Sequence, residues 1–364
     1  MPPAVPPAVP PPPATAPLPP GIDDRPEGAP PVDALLLVSF GGPEGPDDVL
    51  PFMENVTRGR GIPQARLEEV SRHYLEHFGG VSPINAQARA LKAALEAELA
   101  ARGPDLPVYW GNRNWHPYLD DALAQMRADG VRHALEVVTS AFPSYSGCRQ
   151  YREDVWRARG EDGPVVTKLR HYWAEDGFLD VVADALAAAL PSRDARVLFT
   201  AHSIPTSADA TSGPDGGAYS AALRDAAGRV VQRLGGDLAW ELVFQSRSGP
   251  PHVPWLEPDV GDRLAALHAE GVREAVMVPI GFTSDHVEVL YDLDIQAQQR
   301  VREELPGMVV SRAATVGTDP RFVAMLRDLV VERLAAPEEL PDHGGVATHD
   351  RCPHRCCPAP QRPR

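Results

Sequence analysis

The sequence predicts an α/β fold built on two four-stranded parallel sheets with helices on both faces. Three observations predict it. Short apolar runs alternate with longer stretches of helical periodicity from Ala34 onward. The runs are apolar throughout rather than at every second residue, as strands covered on both faces must be. Eight such runs lie between Ala34 and Val316 and divide into two sets of four, and the 364-residue chain has room for two domains of ordinary size.

The first set is ALLLVSF (34–40), VYWGN (108–112), ALEVVTSAF (134–142) and PVVTKL (164–169). The second is RVLFTAH (196–202), AWELVFQS (239–246), EAVMVPIGF (274–282) and MVVSRAATV (308–316). Helical stretches between them include 83–102 with its alanine-leucine stripe, 178–190, 219–234 and 285–300. A last helix over 321–334 can fold back on either half. Residues 1–32 are proline-rich and predict an extended, polyproline-like tail that cannot bury a core. The expected division is 1–32 tail, 33–165 first domain, 166–336 second domain and 337–364 C-terminal tail.

The formal net charge of −15 argues against a general nucleic-acid binder and against docking on anionic lipid. No apolar run is long enough to span a bilayer, so no integral membrane contact is expected. The N-terminus lacks the basic flank and apolar core of a signal peptide, and the protein is expected in the cytoplasm, as a monomer. Of four cysteines, three lie beyond residue 351, a distribution unlike a secreted disulfide scaffold and better suited to metal or cluster ligation.

In open α/β sheets ligands gather beyond the carboxyl ends of the strands, so residues following each strand weigh most. No G-x-G-x-x-G or Walker loop stands there, and no nucleotide cofactor is expected. In FTAHSIP (199–205), His202 directly follows a strand. An imidazole there can take a proton near neutrality or bind a borderline metal, or it can simply brace the turn. In VPIGFTSDHVEVLYDLDIQ (278–296), Glu288, Asp292 and Gln296 recur at i, i+4 and i+8. That spacing lines them along one helical face, either as oxygen ligands for a divalent cation or as a solvated acidic face. His286, in the first turn, can support or cap.

Cys352, Cys356 and Cys357, with Cys148 far upstream, make four soft ligands for a cluster. A zinc site drawing on His349 or His354 satisfies the same spacing, and a set of disordered reduced thiols is a third reading. Tyr109, Trp110, Trp115, Tyr118, Tyr145 and Trp255 can wall an apolar cleft for a flat ligand, or fill ordinary core. Arg58, Arg60, Arg66 and Arg72 gather in and just after VTRGRGIPQAR, and guanidiniums suit carboxylates.

LLLVSFGGP, HFGGVSPIN, GNRNWHPYLDDAL, FPSYSGC, FTAHSIP, FQSRSGPPHVPWLEP and VPIGFTSDHVEVLYDLD, in this order, resemble the ferrochelatase family over about Ala34 to Leu334. The resemblance implies two Rossmann-like domains facing each other across a porphyrin cleft. It also implies a metal-inserting lyase of haem biosynthesis that takes porphyrin and Fe²⁺ as substrates. It makes His202 the catalytic histidine and Glu288 its acidic partner on the opposite wall, with Asp292 next in the acidic row. His202 then takes pyrrole protons or presents metal on one face, while Glu288 and Asp292 strip water from the ion or relay protons on the other. Gln296 stands where many members carry glutamate. Phe40 stands where some short members carry a tyrosine near the metal, a role that does not carry over. The cysteines match members holding a 2Fe–2S cluster through one internal and three C-terminal ligands. The short polar stretch after SFGGP resembles the class that metallates coproporphyrin III rather than protoporphyrin IX, with Arg58, Arg72 and Ser82 as propionate contacts. Two rival readings stand beside it, a cobalt or nickel chelatase for another tetrapyrrole and a porphyrin or haem carrier with an iron–sulfur sensor.

Overall fold

The computed structural model describes residues 28–59, 61–249, 252–335 and 356–359. The first half runs through β1 (Ala34–Ser39), α1 (Pro46–Val56), α2 (Gln64–Phe78), α3 (Ile84–Arg102), β2 (Val108–Asn112), α4 (Leu119–Ala128), β3 (His133–Val138), α5 (Gln150–Arg159) and β4 (Val165–Lys168). Its strands pair in parallel in the order β2-β1-β3-β4. All six residues of β1 are buried, which suits ALLLVS to a strand flanked on both edges and covered on both faces.

The second half repeats the scheme with α6 (Asp176–Ala189), β5 (Arg196–His202), α7 (Thr206–Ala210), α8 (Ala218–Arg233), β6 (Trp240–Gln245), α9 (Val260–Ala269), β7 (Glu274–Val278), α10 (Val287–Val289), α11 (Gln298–Glu304), β8 (Val309–Arg312) and α12 (Pro320–Ala335). Its parallel order is β6-β5-β7-β8. Each sheet reverses its winding direction between its first and third strands, β1/β3 and β5/β7. The crevices beyond those carboxyl ends are where such sheets hold ligands.

The last helix packs on both halves rather than one, against α3 and against α6. Its Phe322, Val323, Met325, Leu326, Leu329 and Val330 are buried in a core shared with Leu91, Leu95 and Leu99 of α3. Arg170, between β4 and α6, grips Glu332 of α12 with two bonds of 2.7 and 2.8 Å and Glu175 with one of 2.6 Å. Such paired, charge-assisted bonds fix orientation as well as adding energy.

Three sequence expectations shift in detail. β4 pairs with β3 through Lys168, so residues 166–168 hydrogen-bond in the first sheet and a boundary at 165/166 cuts through a strand. The third, seventh and eighth runs outlast their strands, which end at Val138, Val278 and Arg312. Ala141, Phe142 and Ile280 beyond them stay apolar because they enter the core, not because they pair in a ladder. Pro30, inside the expected tail, makes a contact with the first domain, for its carbonyl accepts from His133 Nδ1 at 2.6 Å.

Candidate active site

The switch point of the second sheet brings the chemistry-bearing residues together. His202 is the last residue of β5. Its Nδ1 lies 2.5 Å from the Ser203 carbonyl oxygen, which can only accept, so Nδ1 donates a proton there. In the neutral ring, Nε2 then keeps its lone pair. Tyr219 of α8 donates its buried hydroxyl to the His202 carbonyl at 2.8 Å, and burial pushes that phenol far above its ordinary range.

Glu288, on α10, points its Oε2 at His202 Nε2 across 3.8 Å and at His286 Nδ1 across 4.0 Å. Burial lowers the pKa of His286, with the Glu288 charge opposing and His202 adding, so that ring stays neutral. The 3.8 Å separation overturns the expectation that Glu288 stands on the opposite wall. A flat macrocycle between the two needs about 7 Å, one van der Waals contact on each face. β5 and β7 are neighbours in one sheet, so His202 and Glu288 lie on one wall.

Asp292 lies one turn further on, but not along a simple α-helix. Residues Leu290–Ala297 form a π-helix, a wide turn associated with functional sites, between α10 and α11. Ser246 Oγ donates to Asp292 Oδ2, and Gln245 Nε2 approaches the same oxygen at 3.4 Å. Burial raises the Asp292 pKa to about 6; the Ser246 bond lowers it and the Glu288 charge raises it further. Ser246 holds a left-handed φ of 61°, strained for a residue with a side chain, directly after β6. The buried amide oxygen of Gln245 has no hydrogen-bond partner. Gln296 is exposed.

The first half supplies an apolar face to this acidic pair. Phe52, Trp115 and Tyr118 form a cluster against which Phe40 and Tyr74 pack. Phe52 is the hub, with ring centroids 6.4 Å from Phe40, 6.2 Å from Tyr74 and 6.0 Å from Trp115. Burial pushes the Tyr74 phenol far up, and the Glu288 and Asp292 charges push it further; α2, which carries Tyr74, meets the Leu290–Ala297 segment where His73 stacks on Tyr291 at 4.3 Å. Of the six aromatics marked in the sequence, Trp115 and Tyr118 join it. Tyr109 instead bonds Asp129, Trp110 bonds Ser39 and Asn112, and Tyr145 bonds Glu153. Trp255 pairs through its backbone with Pro205. Phe52 and Tyr74 were missed because aromatics inside a helical pattern read as core.

Arg58 is exposed just past α1, and Arg72 is exposed on α2. Ser82 is buried, its Oγ 3.5 Å from the Ile84 amide at the start of α3. Cys148 is buried within a short π-helix, Tyr145–Arg149. Cys356 and Cys357 are buried with sulfurs 3.8 Å apart, and the Gly213 amide donates to Cys357 Sγ at 3.1 Å. Cys352, His349 and His354 fall outside the described residues. Among the described residues no group of three or more metal-ligating side chains converges, and no helix is long and apolar enough to cross a membrane.

Comparison with known proteins gives the family. The chain is 54% identical to a coproporphyrin III ferrochelatase of Streptomyces coelicolor, covering 91% of this chain and 94% of that one. It is 53% identical to one of Streptomyces griseus, over 90% and 94% of the two chains. It is 50% identical to a ferrochelatase of Rhodopirellula baltica, over 92% and 96%. The ferrochelatase family model matches residues 32–334, and the chain belongs to the ferrochelatase family.

Proposed function

We propose that the chain inserts ferrous iron into coproporphyrin III, working in the cytoplasm as a step of haem synthesis. The observation that carries the reading is the His202–Glu288 pair, 3.8 Å apart, with Nδ1 of the imidazole tied to a carbonyl and Nε2 turned to the carboxylate. Metallation removes two N–H protons from the macrocycle as the ion enters. His202 Nε2 is the base that takes them singly, and Glu288 receives each in turn and returns His202 to its neutral tautomer. Asp292, raised to about 6, is ionised at neutral pH and passes protons onward or loosens water from the ion before transfer. The aromatic face around Phe52 receives the ring, and remote contacts offset the cost of bending it so that nitrogen lone pairs face the metal. Arg58, Arg72 and Ser82 are the groups assigned to propionates. The names of the actinobacterial relatives favour coproporphyrin III over protoporphyrin IX.

A cysteine-held 2Fe–2S cluster belongs to the same reading. Two thiolates 2.3 Å from one tetrahedral metal sit about 3.8 Å apart, which the Cys356–Cys357 pair matches, so the residues fit such a group. The Gly213 amide supplies the N–H···S bond that tunes a ligating sulfur. Zinc fits that separation equally. Visible absorption from the purified protein that disappears in Cys352→Ser supports the cluster, and colourless protein carrying zinc refutes it.

The deciding experiment is anaerobic metallation followed by the Soret band, with coproporphyrin III and protoporphyrin IX in parallel. Turnover of coproporphyrin III, slowed at least about 100-fold in His202→Ala, is the expected result. Binding of both rings without metal insertion would replace the enzyme by a carrier.

A further inference from the structure

The two halves meet beside the acidic turn along a polar seam, and Gln87 spans it. Gln87 stands in the first turn of α3, in the first half. Its Nε2 donates to the Asp285 carbonyl at 2.7 Å, and its Oε1 accepts from the Asp285 amide at 2.9 Å. The side chain thus pairs with one residue of backbone as a neighbouring strand would. Asp285 belongs to the second half and precedes His286 and Glu288. Its carboxylate is held separately, by Arg312 at 3.0 Å and Thr315 at 3.4 Å. Two residues earlier, Thr283 Oγ1 donates across the same seam to the Thr139 carbonyl at 3.1 Å.

A cavity of about 110 Å³ opens next to this pairing, lined by Ser39, Ile84, Gln87, Leu91, Thr283 and Ser284 among others. At this edge the halves are joined by hydrogen bonds bordering empty space. Tight apolar packing joins them instead at α12. With Gln87 gone the Asp285 carboxylate keeps its Arg312 and Thr315 bonds, but the backbone loses its cross-seam pairing where Thr283 and Ser284 border the cavity, and it can shift there.

We propose that Gln87 is a positioning residue for metal insertion, reaching from the first half to fix the 285–288 turn and with it the distance from Glu288 to His202. The inference rests on the reading of Glu288 as the acidic partner in metallation. Gln87 touches neither reacting group and acts through the backbone of Asp285.

The test compares the full-length protein with Gln87→Ala and Gln87→Glu. In Gln87→Ala, kcat/KM for ferrous iron falls about 10- to 100-fold, the loss typical of a misplaced catalytic group. Coproporphyrin III affinity, read by fluorescence in the absence of metal, stays within about twofold, because the ring-facing cluster is untouched. Hydrogen exchange at the Asp285 amide speeds up in the porphyrin-free protein. Gln87→Glu still accepts from that amide and regains part of the lost rate; it also serves as the test variant should Gln87→Ala fail to fold. A Gln87→Ala protein that is less stable but keeps its iron kinetics would overturn the proposal, as would an equal loss of porphyrin affinity. A parent protein that metallates neither porphyrin sinks the functional reading itself, whereas an active parent with an equally active Gln87→Ala sinks this inference alone.

Discussion

At the residue scale, the site turns on how three side chains hold protons. His202 has its tautomer fixed by the Ser203 carbonyl, so in the proposed mechanism the nitrogen that takes the proton is chosen before any ligand arrives. Asp292 makes a pH prediction. Its carboxyl is raised to about 6, chiefly by burial, so activity that needs the carboxylate rises as pH climbs through 6. Asp292→Asn removes that limb from the pH–rate profile. The same shift has a signed effect on stability. The folded state holds this proton more tightly than the unfolded chain does, so stability falls as pH rises from about 4 to about 6. Urea titrations of Asp292→Asn across that window lose this component of the slope. That His202, Glu288 and Asp292 come close together was legible in the sequence, because each follows a strand end or recurs at a regular spacing. Which wall each occupies was not legible. That depends on β5 and β7 being sheet neighbours, and strand order is a long-range property.

At the element scale, the informative departure is the π-helix over Leu290–Ala297. A spacing of i, i+4 returns near the same face on either an ordinary or a widened turn, so the acidic row could not distinguish them. Arg312, at the end of β8, braces this region from the side. Its Nε bonds Asp294 of the π-helix at 2.7 Å, and its Nη1 bonds Asp285 ahead of α10 at 3.0 Å. Burial disfavours the Arg312 charge, but the two carboxylates outweigh it and raise its pKa. Arg312→Ala leaves both carboxylates without this partner in a largely covered site. The expected loss is about 2–3 kcal/mol by urea unfolding, below that of a fully buried pair because the guanidinium keeps some contact with water. The eight strands themselves were legible, since continuous apolar runs bounded by turn residues have few other uses. Their ends were not, because residues entering a core are as apolar as residues in a ladder.

At the scale of the whole molecule, two sheets of similar plan share one core through α12. The sequence left this helix free to join either half; its apolar stripe shows that it is buried but not against what. The structure predicts a single cooperative unfolding transition in denaturant, with near-UV and far-UV circular dichroism coinciding. Leu329→Ala, at a position buried to 2% exposure, lowers the unfolding free energy by about 2–5 kcal/mol and shifts the common midpoint down without splitting the transition into two. Two separate transitions would mean that the halves are independent. What the sequence placed at its own ends, the proline tail and most of the cysteine tail, lies outside the described residues.

The position of α12 also bears on the chain as it is being made. The helix is the last regular element among the described residues, yet it covers Leu91, Leu95 and Leu99 on α3, among the earliest. A ribosome delivers residues in order at about 5–20 per second, so α3 emerges many seconds before the surface meant to cover it. Until then its leucines stay open to chaperones and to other nascent chains, and the first sheet cannot be sealed by its own residues alone.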